Sequence, residues 1–371
     1  MDPTQLDAWH MRRALELAAL GRGSVEPNPL VGCVIAQGAE VIAEGWHRRF
    51  GGPHAEVEAL AVAGARAAGG TLYVTLEPCC HQGKTPPCTR AVIAAGLGRV
   101  VVAHLDPFPA VAGSGLAELR TAGVQVESGL LEAEARALNA PYLKLLASAR
   151  PWVLAKWAMT LDGKLAARSG DSRWISGEAS RRVVHELRGR VDAILVGRGT
   201  AQADDPLLTA RPAGPRTARR IVADTRAALP STSRLVRTAR DEPVMVAVGP
   251  EAGQSDRARL EAAGCEVFVC KAGSAAARLV ELLDELGRRR MTNLLVEGGG
   301  TLLGSLFDLR QIDEVHVFIS PKLVGGATAP VALAGAGVER IDQALRLEST
   351  QWRQLDDDMY LQGRTNVTAH S

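Results

Sequence analysis

The sequence predicts an α/β chain built as two layered domains, and three observations carry that expectation. Apolar runs of strand length alternate with Ala- and Leu-rich stretches at helical spacing along all 371 residues. The alternation stops at Ser148-Ala149-Arg150-Pro151, where proline ends a helix, and restarts at Trp152. A 371-residue chain with 46% apolar and 23% charged side chains is too long for one comfortable core, yet ordinary for a soluble globular protein. Domains of 1–148 and 149–371 follow. Only 4% of residues are aromatic while glycine is abundant, which favours the close backbone packing of α/β layers.

In the first domain, Met11, Leu15 and Ala18 sit at helical spacing within Asp7 to Leu20, and Gly21 is the stop. Val31 to Ala36 and Val41 to Trp46 read as strands around a Gln37-Gly38 turn. Glu56 to Ala68 is a helix, Thr71 to Leu76 a strand, Thr89 to Ala95 a helix and Arg99 to Leu105 a strand. Helices follow at Ser114 to Ala122 and Glu132 to Ser148, so the sheet is covered on both faces. In the second domain, strands are expected at Trp152 to Met159, Ala193 to Val196, Arg220 to Ala223, Val244 to Val248, Glu266 to Val269, Asn293 to Glu297 and Glu314 to Ile319. Helices are expected at Gly177 to Arg190, Gly253 to Ala263, Ser274 to Arg288 and from Gly300 to Phe307.

Charge and cysteine usage narrow the function classes. Lys plus Arg number 43 against 41 Asp plus Glu, a net charge of +2, which gives no general attraction to nucleic acid or anionic membranes. The acidic first residues lack the apolar run of a signal peptide, and no apolar run approaches a membrane-spanning length. The six cysteines are therefore expected to be thiols or metal ligands of a cytoplasmic enzyme rather than bridges.

The sharpest motif is His54-Ala55-Glu56, followed by Pro78-Cys79 and then Cys88. Zinc prefers nitrogen and thiolate donors, and a catalytic zinc keeps three protein ligands and one open position. His54, Cys79 and Cys88 supply one nitrogen and two sulfurs. Glu56, two residues after the histidine, is placed to reach an activated water rather than to become a fourth ligand. His-x-Glu with a later Pro-Cys marks zinc deaminases of amino-substituted heterocycles, in which a carboxylate shuttles protons from water to ring nitrogen and departing ammonia. Here the thiolates are separated by a long loop, Cys79-Cys80-His81-Gln82-Gly83-Lys84-Thr85-Pro86-Pro87-Cys88, instead of Cys-x-x-Cys. Cys80 or His81 could take a ligand's place, and a closed structural zinc site is the alternative. That alternative leaves Glu56 unexplained.

The loop from Leu76 to Cys88 resembles that of the bifunctional riboflavin-biosynthesis deaminase–reductase family. Further matches are Pro27-Asn28-Pro29-Leu30-Val31-Gly32-Cys33, Gly51-Gly52-Pro53-His54-Ala55-Glu56, Leu161-Asp162-Gly163-Lys164, Ser172-Arg173-Trp174-Ile175, Ala203-Asp204-Asp205-Pro206-Leu207-Leu208-Thr209 and Val296-Glu297-Gly298-Gly299. The resemblance spans nearly the whole chain. It implies a cytidine-deaminase-like three-layer domain followed by a dihydrofolate-reductase-like domain. The first would deaminate the 2-amino position of a diamino-pyrimidinone ribosylamino 5′-phosphate, and the second would reduce the ribosyl group with NADPH. By motif, His54, Cys79 and Cys88 would bind Zn2+, Glu56 would shuttle protons, and Asn28, His47 and Lys84 would lie near the first substrate. Ala158, Trp174, Thr200, Asp204 and the turn of Gly299, Gly300, Thr301, Leu302, Leu303, Gly304 and Ser305 would contact NADPH. Ser172, Arg188, Leu208, Arg211 and Glu297 would contact the phosphorylated substrate. Cys80 stands where the family has Ser, and Phe108 where it has Asn, so the Asp106-Pro107-Phe108-Pro109 loop lacks a side-chain amide that would fit its turn.

On the residues alone the second half is less explicit. Gly298-x-Gly300-x-x-x-Gly304 opens a helix after a strand and could present amides to cofactor phosphates, but it is not the dinucleotide fingerprint. Arg188 and Arg211 suit a phosphate because guanidinium binds oxyanions in a fork. Cys265 and Cys270 read as buried thiols, and His185 and His316 as isolated histidines. The partner is then a small phosphorylated pyrimidine, with no nucleic acid, no membrane, and a homo-oligomer left open. The competing readings are a deaminase with a degenerate reductase half and a nucleic-acid-editing or zinc-structured module.

Overall fold

A computed structural model describes residues 2–82, 86–108 and 112–366. The chain divides into two compact units, Met1–Ser148 and Ala149–Ser371. The first comprises α1 (Pro3–Ala19), β1 (Gly32–Gln37), β2 (Glu40–Trp46), α2 (Ala55–Ala63), β3 (Thr71–Val74), α3 (Cys88–Ala94), β4 (Arg99–Val102), α4 (Ser114–Thr121), β5 (Gln125–Ser128), α5 (Glu132–Leu138) and α6 (Ala140–Ser148). Its five strands lie in the order β2-β1-β3-β4-β5, with β1 antiparallel to both neighbours and β3, β4 and β5 parallel.

Alternation along β1 sorts side chains to the two faces of this sheet. Cys33 and Ile35 join Ala55 and Ala59 of α2, Val92 of α3 and Leu116 of α4 in one core layer. Val34 and Ala36 point the other way, to Met11, Ala14 and Leu17 of α1. Three layers result. Helix α1 starts earlier than the periodicity suggested because the Asp2 carboxylate caps it, accepting from Gln5 N at 2.9 Å, with proline at its first position. The helix expected over Glu132 to Ser148 is interrupted at Asn139, whose buried side chain pairs with both backbone groups of Leu30 at 2.8 and 2.9 Å. That pairing fixes the segment bearing Asn28.

The second unit comprises β6 (Trp152–Thr160), α7 (Glu178–Arg188), β7 (Ala193–Gly197), α8 (Arg198–Asp204), β8 (Arg219–Ala223), α9 (Arg234–Arg237), β9 (Val244–Val248), α10 (Gln254–Ala262), β10 (Glu266–Val269), α11 (Ala275–Arg288), β11 (Asn293–Val296), α12 (Gly300–Asp308), β12 (Glu314–Ser320), β13 (Leu347–Leu355) and β14 (Asp358–Thr365). The nine strands are ordered β10-β9-β8-β7-β11-β6-β12-β14-β13, parallel from β10 to β12 and antiparallel beyond. Leu195, Ile221, Met245 and Leu294 on the strands pack under Leu282, Leu283 and Leu286 of α11 and Leu303 and Leu306 of α12. Because β7 to β11 run the same way, the loops after them gather at one edge of the sheet, where open α/β sheets place ligands. No helix among the described residues is long and apolar enough to cross a membrane.

Candidate functional site

In the first unit, His54 is the residue just before α2, and Glu56 lies in that helix's first turn. Cys79 follows β3, and Cys88 opens α3. Helix α2 rests directly on β2: a Cβ at Gly45 would lie 2.3 Å from the Ala55 carbonyl oxygen and 2.6 Å from Ala59 N. Only glycine lets the helix that carries His54 and Glu56 approach so closely.

The donor atoms of His54, Cys79 and Cys88 all lie within 4.8 Å of one another. His54 Nδ1 stands 3.5 Å from Cys79 Sγ and 3.2 Å from Cys88 Sγ. Ordinary zinc–nitrogen and zinc–sulfur lengths at a tetrahedral angle separate N from S by about 3.6 Å, so the set admits zinc with small adjustments. Cys80 and His81 are not in this cluster.

The protons at this cluster argue the same way. The contact between the two thiols holds Cys79 below its ordinary value and drives Cys88 above it. Two adjacent thiolates repel one another, and a divalent metal bound between them would offset that repulsion. His54 is raised by its hydrogen bond to Cys79. Glu56 is 3% exposed, burial raises its pKa, and its Oε2 has no hydrogen-bond partner among the described residues. A buried carboxyl oxygen left open beside a metal-ligand set is available to a substrate or a water.

Asn28 and His47 join this site, whereas Lys84 lies outside the described residues. His47 Nδ1 donates to the Pro53 carbonyl at 2.9 Å, leaving Nε2 to accept from Asn28 Nδ2 at 3.2 Å. The His47 ring is 5.4 Å from that of His54, and burial lowers its pKa, so the neutral form is favoured. Glu77, which the sequence reading passed over, fastens the neighbouring loop. Its carboxylate accepts from the backbone N–H groups of Asp106, Gly113, Gly115 and Leu116 at 2.9 to 3.3 Å, two residues before Cys79. The turn at Asp106 does not need an asparagine at position 108. The Asp106 carboxylate accepts from Phe108 N at 2.9 Å and from the Tyr142 hydroxyl at 3.1 Å, and the Phe108 ring packs 6.1 Å from that of His81.

In the second unit, a buried charged cluster joins α7, β6 and the end of β11. Arg188 grips Glu297 in a fork, Nε to Oε1 at 2.6 Å and Nη2 to Oε2 at 2.9 Å. Its remaining Nη1 donates to the Thr209 carbonyl at 3.3 Å. The fork that the sequence offered to a phosphate therefore holds a carboxylate in this structure. Lys156 Nζ, from β6, lies 4.0 Å from Glu297. Burial lowers the Lys156 pKa. Burial works to raise Glu297, but Arg188 outweighs it and holds the carboxyl below its ordinary value.

The loop between α8 and β8 completes the wall. Leu208 is 2% exposed with φ at +56°, and Asp205 has φ at +40°, left-handed conformations that non-glycine residues adopt only under constraint. His185 is not isolated: Nδ1 lies 3.2 Å from both the Thr209 carbonyl and Arg211 N. Arg188 and Leu208 line a small cavity of about 60 Å³, and the Arg211 backbone is tied to it through His185.

A larger cavity of about 660 Å³ opens at the strand ends. Thr200, Gly299, Thr301, Leu302 and Ser305 line it, and Gly299 N donates to Thr200 Oγ1 at 2.9 Å. The rest of the glycine turn faces elsewhere. A Cβ at Gly300 would lie 2.0 Å from the Val331 carbonyl oxygen, Leu303 is in the core, and Gly304 packs against Ala334 and Gly335. Ala158, Trp174 and Asp204 do not line the cavity. Trp174 is 67% exposed with the Arg181 guanidinium over its ring, and the Lys322 ammonium donates to its carbonyl at 2.6 Å. Burial raises the Asp204 pKa, and its carbonyl accepts from Arg173 at 2.8 Å. Ser172 caps a turn nearby, its carbonyl accepting from Ile175 N at 3.1 Å.

Comparison with known proteins matches each of the two units to a known region. Residues 4–104 match the cytidine and deoxycytidylate deaminase zinc-binding region, and residues 151–361 match the RibD C-terminal domain. The chain is 42% identical over 358 residues to the riboflavin biosynthesis protein RibD of Actinobacillus pleuropneumoniae, covering 96% of this chain and 95% of that one. It is 37% identical to the RibD of Escherichia coli strain K12, covering 96% and 98%. The solved structure of Acinetobacter baumannii RibD is 36% identical and superposes with a TM-score of 0.86 over 98% of this chain and 99% of that one. With whole-length relatives of this identity, a zinc-binding deaminase region and a reductase region in one polypeptide, the chain belongs to the RibD family of bifunctional riboflavin-biosynthesis enzymes.

Proposed function

We propose that the two units, 1–148 and 149–371, act in turn on one phosphorylated pyrimidine. In the first step, water replaces the 2-amino group of 2,5-diamino-6-ribosylamino-4(3H)-pyrimidinone 5′-phosphate and ammonia leaves. In the second, NADPH reduces the ribosyl group to give 5-amino-6-ribitylamino-uracil 5′-phosphate. The observation that carries the reading is Glu56, a buried carboxyl with an unpartnered oxygen beside the His54, Cys79 and Cys88 donor set.

His54, Cys79 and Cys88 would hold zinc, which when bound supplies a water acidic enough to ionise near neutrality. Glu56 takes one proton from the attacking water and delivers it to the ring nitrogen, then carries the second, from the added hydroxyl, to the departing amine. Its raised pKa suits it to hold that proton between transfers. Asn28 and His47, locked together by hydrogen bonding, orient the pyrimidine, and Lys84 is assigned to the substrate by motif alone.

In the second unit, NADPH supplies the hydride, so the protein's contribution is positioning and proton balance. Arg188 keeps Glu297 ionised and aimed, and Lys156 beside it can exchange a proton as the ribosyl ring opens. Arg211, Leu208 and Ser172 hold the phosphorylated substrate. The Thr200 and Gly299 to Ser305 turn, with Ala158, Trp174 and Asp204, holds the cofactor. A cytoplasmic enzyme of a small metabolite, without a nucleic-acid partner, fits the net charge of +2.

Incubating the pure protein with the diamino-pyrimidinone phosphate and following products by mass spectrometry tests this. Without NADPH the product carries carbonyl in place of amine, and with NADPH it is two hydrogens heavier again. Accumulation of the deaminated compound in the presence of NADPH would instead establish the deaminase-only reading.

A further inference from the structure

The loop that walls the second site lies along helix α7 and is fastened to it at both ends. At the far end, a Cβ at Gly214 would lie 2.3 Å from the Gly189 carbonyl oxygen, and Arg216 N donates to that same oxygen at 3.0 Å. At the near end, a single imidazole nitrogen stands between two backbone groups. His185 Nδ1 lies 3.2 Å from Arg211 N, a donor, and 3.2 Å from the Thr209 carbonyl oxygen, an acceptor. Leu208, just before this contact, is buried with φ at +56°, a conformation that persists only while its surroundings enforce it.

One ring nitrogen serves one of these partners at a time. In the neutral ring with its proton on Nε2, Nδ1 carries a lone pair and accepts from Arg211 N. In the protonated ring it carries an N–H and donates to the Thr209 oxygen instead. The two partners do not need it equally. The Thr209 oxygen also receives Arg188 Nη1 at 3.3 Å, so it stays paired in either case. The Arg211 amide has no other partner among the described residues.

The charges around the ring choose between the two forms. Arg188 on the same helix and Arg211 on the loop oppose a proton there, while Glu297 at the end of β11 favours one. Glu297 is already gripped by Arg188 and lies 4.0 Å from Lys156 of β6. Arg181, one turn earlier on α7, is directed over the Trp174 ring. Burial and the two guanidiniums prevail, and His185 is held below the ordinary histidine range.

We infer that His185 is a positioning residue of the reductase step: its unprotonated Nδ1 holds the Arg211 amide, and with it residues 208–211, in the form that takes the phosphorylated substrate. This role rests on the reductase reading above. His185 acts through a backbone amide, and gaining a proton trades that amide for a carbonyl that already has a donor.

Steady-state NADPH oxidation by the full chain tests it, with the deaminated pyrimidine phosphate as substrate, for wild type, His185→Asn and His185→Ala from acidic to mildly alkaline pH. Asparagine puts an amide oxygen where Nδ1 stands, an acceptor that does not titrate, and alanine removes the contact. At neutral pH His185→Asn should keep the wild-type KM for that substrate. His185→Ala should raise it about tenfold, the loss of one positioning hydrogen bond, with kcat changed little. As pH falls, His185 gains its proton, and the wild-type KM should climb above that of His185→Asn. The ratio of the two removes the substrate's own phosphate titration, which both enzymes share. A merely structural contact would lower Tm in both variants and give no pH-dependent difference between wild type and His185→Asn. A ratio constant with pH, or an unchanged KM in His185→Ala, overturns the role and leaves the reductase reading standing. If the wild type oxidises no NADPH, the reductase reading falls and this role with it.

Discussion

Glu56→Gln is expected to slow ammonia release by about 10²- to 10⁴-fold, the range for removing a positioned proton shuttle, while zinc stays at one per chain. The amide keeps the shape and the hydrogen-bonding capacity of the side chain but cannot accept and return a proton. Glu56 is not among the clustered donor atoms, so the metal set of His54, Cys79 and Cys88 is untouched. The protein should also fold normally, since burial already disfavours the ionised form at this position and the substitution removes that charge. Ammonia release and metal content measured on the same sample decide the matter. Full turnover would remove Glu56 from the chemistry, and loss of zinc together with activity would make it a structural residue.

Arg188→Met should have the largest effect on the second unit. The guanidinium is 14% exposed at its side chain and Glu297 9%, so removing the cation leaves a buried carboxylate facing only Lys156 at 4.0 Å. Breaking such a pair costs about 3 kcal/mol or more, which for a unit of this size lowers Tm by roughly 6–12 °C. NADPH oxidation should fall by about 10²-fold or more, because Glu297 and the Thr209 carbonyl lose the group that aims them. The double variant Arg188→Met/Glu297→Gln separates the two effects. It should recover most of the lost Tm, since no charge is stranded, yet remain unable to oxidise NADPH. Recovery of activity along with stability would show that the pair serves the fold alone.

The parts that could be read from the sequence are those where one residue type does one job. His54, Glu56, Cys79 and Cys88 are legible because zinc chemistry admits few donors and the spacing brings a carboxyl alongside them. Strands β9 and β10 match their expected bounds because their apolar runs are bounded by turn residues. By contrast, β13 escapes notice because it is exposed along nearly its whole length and carries no alternation, and β5 offers only Val126 as an apolar residue. The break at Asn139 depends on Leu30, 109 positions away, and no local pattern announces it. Likewise Glu77, Lys156 and His185 act through partners that only the fold brings near. The Arg188 fork could be anticipated as an oxyanion binder, but that it is closed on Glu297 could not. The large cavity is a product of sheet order, since its lining comes from the ends of several strands and from α11, which are far apart in the chain.

The account depends on a metal held by three protein donors with one position left for chemistry. X-ray absorption at the zinc edge on the purified full-length protein tests it most directly. Two sulfur and two lighter neighbours are expected, with Cys88→Ser losing one sulfur and most of the bound zinc. A first shell of three sulfurs, or zinc retained unchanged in Cys88→Ser, would contradict it.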